Sequence, residues 1–238
     1  MFALVATASA ASIDSPKLTS TSPVFWAVGV NPTQQKTIAL TFDQKMSPAY
    51  TAWLGRSSLP PPDLDINSFM SQDRQTLSIN VKLEPGKVYV FGLNEKALPG
   101  VGFQNQKGIS LPPHFLVFQT AGAPKPEDAP PVLVRSLPSN GAQDIDPART
   151  NAVVLTFDKP MRPQKHGLHL FEKNTEVDLS KARFAYSADG RTFTLYYTFK
   201  QSNTYRLELN SVHDIGFATV KRVPLWPVQV SFTTGALR

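Results

Sequence analysis

The chain of 238 residues contains no cysteine, which excludes disulfide bonds, zinc sites built on thiolates and catalysis by a thiol. It also lacks any apolar run of about 20 residues, the length that a membrane-spanning helix needs. Neither the G-x-S-x-G turn of serine hydrolases nor a glycine-rich phosphate loop is present. With hydrophobic residues at 41% and charged residues at 18%, the composition is typical of a folded globular protein.

Helical periodicity is missing as well, whereas a period of two is frequent. Apolar residues alternate with small or polar ones along Ile38–Phe42 and again along Val153–Phe157. Such alternation is typical of half-buried strands, with one face in a core and the other in water. The 21 prolines exceed the usual share of about 5% and favour strands over helices. The pattern predicts an all-β protein built from antiparallel sandwiches.

The sequence repeats itself at the length of a small domain. The heptapeptide Leu40–Met46 returns as Leu155–Met161, 115 residues later, and prolines, tyrosines and glycines before and after it recur at nearly the same offset. A unit of this size can bury a core of its own. We predict two tandem domains, residues 16–121 and 131–238.

The segment between the repeats, residues 122–130, is rich in proline and leads directly into Pro131. Proline-rich segments are extended and semi-rigid. We therefore expect this linker to hold the two domains apart and to limit their relative orientations.

The N-terminal residues 1–15 contain the short apolar run Phe2–Ala6, followed by Ala8-Ser9-Ala10. An apolar run before an A-x-A pattern is typical of the end of an export signal. We interpret residues 1–15 as the remnant of such a signal, with a flexible N-terminal extension as the alternative. The first interpretation predicts a secreted or cell-envelope protein.

Val132–Ala142 contains Pro-Ser-Asn-Gly-Ala after an apolar stretch, and Leu155–Met161 contains Thr-Phe-Asp-Lys-Pro-Met. Both stretches resemble the bacterial Ig-like domains of the S-layer type: the first is similar to the opening strand and P-x-x-G-A turn of that family, and the second to its T-F-(S/D)-x-P-M stretch. In the first repeat, Leu83–Tyr89 is similar to the family's L-x-P-G-x-x-Y. The resemblance implies two tandem Ig-like sandwiches of bacterial origin whose shared positions are structural, with Tyr89 and Tyr205 at the tyrosine-corner position.

The residues that recur in both repeats are predicted to form a structural motif rather than a catalytic one. They are Phe42, Asp43, Met46, Tyr89, Phe157, Asp158, Met161 and Tyr205. The two aspartates lack the spaced carboxylates of a calcium loop, so we expect each to accept backbone N–H groups in the turn that follows it. Metal sites and cofactors are not expected, because the pair His166 and His169 would lie on opposite faces of a strand without a third ligand.

One stretch differs strongly between the repeats and is the candidate binding loop. Residues 53–63 contain Trp53 and three consecutive prolines, whereas the equivalent residues 166–177 carry histidine and charges. Loops that diverge on a common framework often bind partners, and Trp53 and Arg56 are suitable anchors for a sugar or a protein. Unconstrained drift of a loop is the alternative interpretation.

These observations predict a non-catalytic binding, adhesion or spacer module, with an envelope polysaccharide or another surface protein as its partner. The alternative is an accessory region of a secreted hydrolase or other envelope enzyme. The net charge of +6 raises the question of nucleic acid, but the basic residues are scattered and no basic run is present. We expect no nucleic-acid binding and no enzymatic activity of its own.

Overall fold

The computed structural model describes residues 14–47, 63–94, 102–163 and 167–236, with the backbone alone for 63–67. The export-signal segment and the candidate loop residues Trp53 and Arg56 thus lie outside the described residues. The described residues form sixteen strands and no helix. The strands are β1 (Leu18–Ser22), β2 (Ala27–Val30), β3 (Thr37–Phe42), β4 (Asp63–Met70), β5 (Thr76–Lys82), β6 (Val88–Leu93), β7 (His114–Thr120), β8 (Leu133–Leu137), β9 (Ala142–Ile145), β10 (Ala152–Phe157), β11 (Leu168–Glu172), β12 (Thr175–Glu176), β13 (Arg183–Tyr186), β14 (Thr192–Tyr196), β15 (Thr204–Leu209) and β16 (Val228–Thr234).

Each repeat is a sandwich of two sheets, which confirms the predicted fold class. The first repeat has one sheet in the order β1-β3-β5-β4 and a second in the order β2-β7-β6. In the second repeat the orders are β8-β10-β14-β13 and β9-β16-β15-β11-β12. Neighbouring strands are antiparallel except β2 with β7 and β9 with β16, which are parallel. No described helix is long and apolar enough to cross a membrane.

Each of the seven described strands of the first repeat has a counterpart in the second. Strand β3 lies between β1 and β5 in the same way that β10 lies between β8 and β14, and Leu40 faces Leu77 as Leu155 faces Phe193. The second repeat also has the hairpin β11–β12 at the edge of β15, and the equivalent residues 53–61 of the first repeat lie outside the described residues. This hairpin lies within residues 166–177, where we expected a loop. That expectation is wrong, because Leu168 and Leu170 point into the core as residues of a strand.

The cores follow from the alternation in the sequence. In β3 and β10 every second residue is buried and the residues between are half-buried. One hydrophobic cluster joins the two sheets of the first repeat and another joins those of the second. Burying a large apolar side chain contributes about 1.5–3 kcal/mol, so each sandwich has an apolar core of its own.

Strand β6 departs from the expected alternation, since all six of its residues are buried. Its counterpart β15 alternates as predicted. One face of β6 contributes Tyr89 and Phe91 to the core of the first repeat, whereas Val88 and Val90 on the other face contact the second repeat. The expected exposure of one face to water is therefore wrong for this strand.

Candidate functional site

The repeated aspartates close the first strand of each sandwich. The Asp43 carboxylate accepts the N–H of Lys17 at 2.8 Å, and the Asp158 carboxylate accepts the N–H of Val132 at 2.6 Å. In return, the N–H of Asp43 donates to the carbonyl of Lys17, and the N–H of Asp158 donates to the carbonyl of Val132. The donors precede β1 and β8 rather than following the aspartate, so the predicted turn donors are wrong. The antiparallel pairing brings the end of β3 or β10 beside the start of the first strand.

The other members of the structural motif lie in the cores. Phe42, Met46, Phe157 and Met161 are each at most 2% exposed. The hydroxyl of Tyr89 accepts the N–H of Glu84 at 2.8 Å, and that of Tyr205 accepts the N–H of Lys200 at 2.7 Å. Burial raises the pKa of both phenols above its usual range.

Two asparagines have a larger part than the sequence indicates. Asn94 and Asn210 directly follow β6 and β15, a position where an asparagine side chain often bonds to neighbouring backbone groups. The Asn210 amide instead donates to the carbonyls of Phe217 (2.8 Å) and Leu225 (2.7 Å) and accepts the N–H of Phe217 (2.9 Å). Asn94 makes the same three contacts in the first repeat. The recurrence of the Leu-Asn pair in both repeats was the one sign of these asparagines in the sequence. The distant residues that they contact could not be predicted from it.

Residues 167–177 carry polar contacts but no metal site. His169 Nδ1 lies 2.6 Å from a carboxylate oxygen of Glu176 across the β11–β12 hairpin, and His166 lies outside the described residues. Glu172 binds the Lys200 ammonium at 2.6 Å and accepts the Tyr197 hydroxyl at 3.0 Å. Burial opposes ionisation of Glu172, yet these bonds outweigh it and lower its pKa. Within the described ranges, no three His, Asp or Glu side chains are grouped to hold a metal ion.

The two repeats pack against each other, which makes the expectation of separated domains wrong. Val88, Val90 and Val117 of the first repeat form an apolar cluster with Val223 of the second, and Trp226 packs against it. Val223 is 1% exposed. We name this contact the junction.

Polar contacts fix the geometry of the junction. The N–H of Phe115 donates to the carbonyl of Val212 at 2.6 Å. The Trp226 indole N–H donates to the carbonyl of Trp26 at 3.0 Å, and the two indole rings meet edge to face at 5.5 Å. Directional bonds between two sandwiches restrict their rotation in a way that an apolar contact alone does not.

A pair of histidines lies at one side of the junction. The rings of His114 and His213 are 4.5 Å apart, and their Nδ1 atoms lie 2.7 Å and 3.0 Å from the carbonyl oxygens of Pro112 and Pro113. Burial lowers the pKa of His114, and His213 adds to this effect despite the opposing bond to Pro112. The neutral imidazole is therefore the form that the junction favours.

The linker is attached to both repeats. The Asp128 carboxylate lies 3.4 Å from the Lys221 ammonium and 3.9 Å from that of Lys87. The Lys159 ammonium donates to the carbonyls of Pro126 (2.7 Å) and Ala129 (2.6 Å). These contacts place the linker along the sandwiches, so it does not act as a spacer between them.

A shallow groove of about 370 Å³ lies beside β8 and β10 and extends to Ile145 of β9 in the other sheet. Its lining is mostly apolar and comprises Leu137, Pro138, Ile145, Arg149, Thr150, Asn151, Ala152 and Val154. Next to Ala152 in the sheet lies Tyr196, with the Arg183 guanidinium 3.9 Å from the centre of its ring. We call this surface the β8–β10 face.

Comparison with known proteins supports the family of the second repeat. Residues 127–234 match the family model of the bacterial Ig-like domain, and this part of the chain is therefore a bacterial Ig-like domain. The first repeat lies outside that match but has the same arrangement of strands around its core. No curated protein matches the sequence.

Several solved structures are similar to parts of the chain. The bacterial S-layer protein SbsC shares 17% identity over 46% of this chain and 14% of that structure, with a TM-score of 0.33. CopC from Methylosinus trichosporium OB3b shares 14% identity over 44% of this chain and 94% of its own, with a TM-score of 0.35. A three-domain Ig segment of titin shares 12% identity over 94% of this chain and 66% of its own, with a TM-score of 0.28. The sandwich assignment itself rests on the sheets described above.

Proposed function

We propose that this protein is an exported, non-catalytic module of the bacterial cell envelope, with domains at 16–121 and 131–238 that act as one rigid unit presenting a binding surface. The junction is the observation that carries this proposal. The match of residues 127–234 to the bacterial Ig-like family supports a non-catalytic envelope role. The A-x-A pattern at Ala8–Ala10 supports export.

The junction supports rigidity for an energetic reason. Separating the repeats would expose Val90, Val117 and Val223, which are all at most 5% exposed, and would break the bonds of Phe115 and Trp226 described above. Each buried valine contributes about 1.5 kcal/mol or more. A unit held in this way transmits force and keeps a distant binding surface in a defined orientation, which a flexible tether does not.

Rigidity is tested by measuring the distance between spin labels on the two repeats. The chain has no cysteine, so Lys36→Cys and Gln143→Cys introduce the only two labelling sites. We expect a single narrow distance distribution, and a broad one when Val223→Asp places a charge in the junction. Val220→Asp is the matched control, because Val220 lies in the same loop but is 64% exposed. A broad distribution in the parent protein would overturn the proposed rigid unit.

The envelope role is tested by co-sedimentation of the full chain with cell-wall sacculi and with membrane-protein fractions at low and high salt. Retention at high salt is the expected result, since a specific surface does not depend on screened charge alone. Trp53→Ala and Arg56→Gln then test the candidate binding loop. Retention of the protein only together with a hydrolase would favour the accessory role, and no retention in any fraction would contradict the envelope role.

A further inference from the structure

The β8–β10 face differs in residue type from the equivalent surface of the first repeat, although the strand order is the same. In the first repeat Ser22 pairs with Ala39, and Thr37 pairs with Asn80. The equivalent pairs in the second repeat are Leu137 with Val154 and Ala152 with Tyr196. Both sheets keep the same strand order, so stability of the fold does not require the apolar residues. The apolar side chains beside β8 are therefore particular to the second repeat, whereas the first repeat exposes Phe69 on β4, at the position of Ala185.

Apolar side chains of this surface are exposed. Leu137 in the groove is 44% exposed, and Tyr196 on the same sheet is 36% exposed. Apolar side chains grouped around a groove mark an interaction surface more often than apolar side chains that are scattered singly.

Two arginines lie in or near the groove. Arg149 lines it, with its side chain 88% exposed, and Arg135 lies two residues before Leu137 on β8, about 7 Å away along the strand. Arg149 pairs with Asp146 at 3.4 Å, an exposed ion pair that contributes little and leaves the guanidinium accessible. The first repeat has Ser20 and Gln34 at the equivalent positions. The first repeat instead carries Lys36, at the position equivalent to the groove residue Asn151.

Strand β8 is also the edge of its sheet. It pairs with β10 on one side, and no strand pairs with its other side among the described residues. The outer backbone groups of an edge strand are a template for an extended peptide, and adjacent pockets then select its side chains.

We propose that the β8–β10 face binds an extended, acidic segment of a partner protein, with an apolar side chain in the groove and carboxylates on Arg135 and Arg149. Arginine forms paired hydrogen bonds with carboxylates, which gives such a contact geometric selectivity. A polysaccharide fits less well, because sugar rings stack on free aromatic faces and the Arg183 guanidinium lies over the ring of Tyr196. The proposal depends on the proposed function only in that the protein has a partner.

The test uses the full chain, labelled with ¹⁵N, and a short acetylated peptide of alternating glutamate and leucine as the probe. We expect the peptide to shift amide resonances of β8 and of residues lining the groove. Leu137→Ser and Arg149→Gln should each weaken binding about tenfold. Serine occupies the position of Leu137 in the first repeat, so the framework accepts this substitution. Val220→Ser and Lys36→Gln are matched controls that remove an exposed valine and a positive charge elsewhere, and they should leave binding unchanged.

Other outcomes overturn the proposal. An equal loss with Lys36→Gln would mean diffuse attraction by charge. Equal binding of the peptide with lysine in place of glutamate would remove the role of the arginines. Equal shifts with polygalacturonate would assign the face to an anionic polysaccharide, and no shifts at millimolar peptide would mean that no peptide site exists. The label distances across the junction and the co-sedimentation test report on other parts of the protein, so their results stand in each of these cases.

Discussion

Replacing Asn210 by alanine is the sharpest test of how the second repeat is built. The Asn210 side chain is 3% exposed and forms three hydrogen bonds with Phe217 and Leu225. Alanine removes all three and leaves buried backbone groups without partners. At about 1 kcal/mol for each bond, the loss is about 3 kcal/mol. Asn210 also has a φ of +59°, a region that costs alanine about 1 kcal/mol more.

The expected loss of unfolding free energy is therefore about 4 kcal/mol, measured by urea denaturation with linear extrapolation. Asn94→Ala should have a similar effect on the first repeat, since Asn94 makes the same contacts at a φ of +54°. Asn140→Ala is the control, because Asn140 is exposed and water can replace its bond to Ser231. A loss below about 1 kcal/mol for Asn210→Ala, or one equal to that of Asn140→Ala, would refute the argument.

Asn210→Ala should also weaken the junction between the repeats. The loop that Asn210 holds, between β15 and β16, also carries Val212, Val223 and Trp226, which contact the first repeat. We therefore expect Asn210→Ala to broaden the distance distribution between labels on the two repeats. An unchanged distribution in a folded variant would show that the junction holds this loop without the asparagine.

Three further predictions concern pH, the aspartates and the linker. Burial lowers the pKa of His114 below its usual value of 6.5, so the unfolded chain takes up this proton at a higher pH than the folded chain does. The contribution of His114 to the unfolding free energy should therefore be constant above about pH 6.5 and fall as the pH drops below it. His114→Gln should flatten this pH dependence of the denaturation midpoint. Asp158→Ala should lower the unfolding free energy by about 1 kcal/mol through the lost bond to Val132, whereas Asp158→Asn keeps an acceptor and should cost less in the same urea assay. Gly86→Ala would place a Cβ 2.6 Å from the carbonyl oxygen of Ala123 in the linker, at a φ of +67°. Gly141→Ala is the control, because Gly141 has a φ of +78° but no atom near the new Cβ, and Gly86→Ala should lower the melting temperature more. Equal decreases in melting temperature would mean that the linker does not pack against Gly86.

Much of the fold followed from local patterns. The alternation along Ile38–Phe42 and Val153–Phe157 correctly predicted the central strands, because a strand places every second side chain on one face. The repeat of Leu40–Met46 at Leu155–Met161 correctly predicted two sandwiches, since equal sequences form equal local structures. The candidate loop with Trp53 and Arg56 stays a prediction, as do the export signal and the partner.

The tertiary structure decided what depends on contacts between distant residues. Periodicity shows that Val88 and Val90 share a face of β6, but it cannot show that Val223 covers that face, because the contact joins residues of different repeats. For the same reason the proline-rich linker was wrongly expected to separate the domains. Hydrogen bonds of Asp43, Asp158 and Asn210 with residues far along the chain could not be derived from neighbouring residues. Sequence by itself determined the strands and their repetition, and only the folded chain brought together the junction and the β8–β10 face.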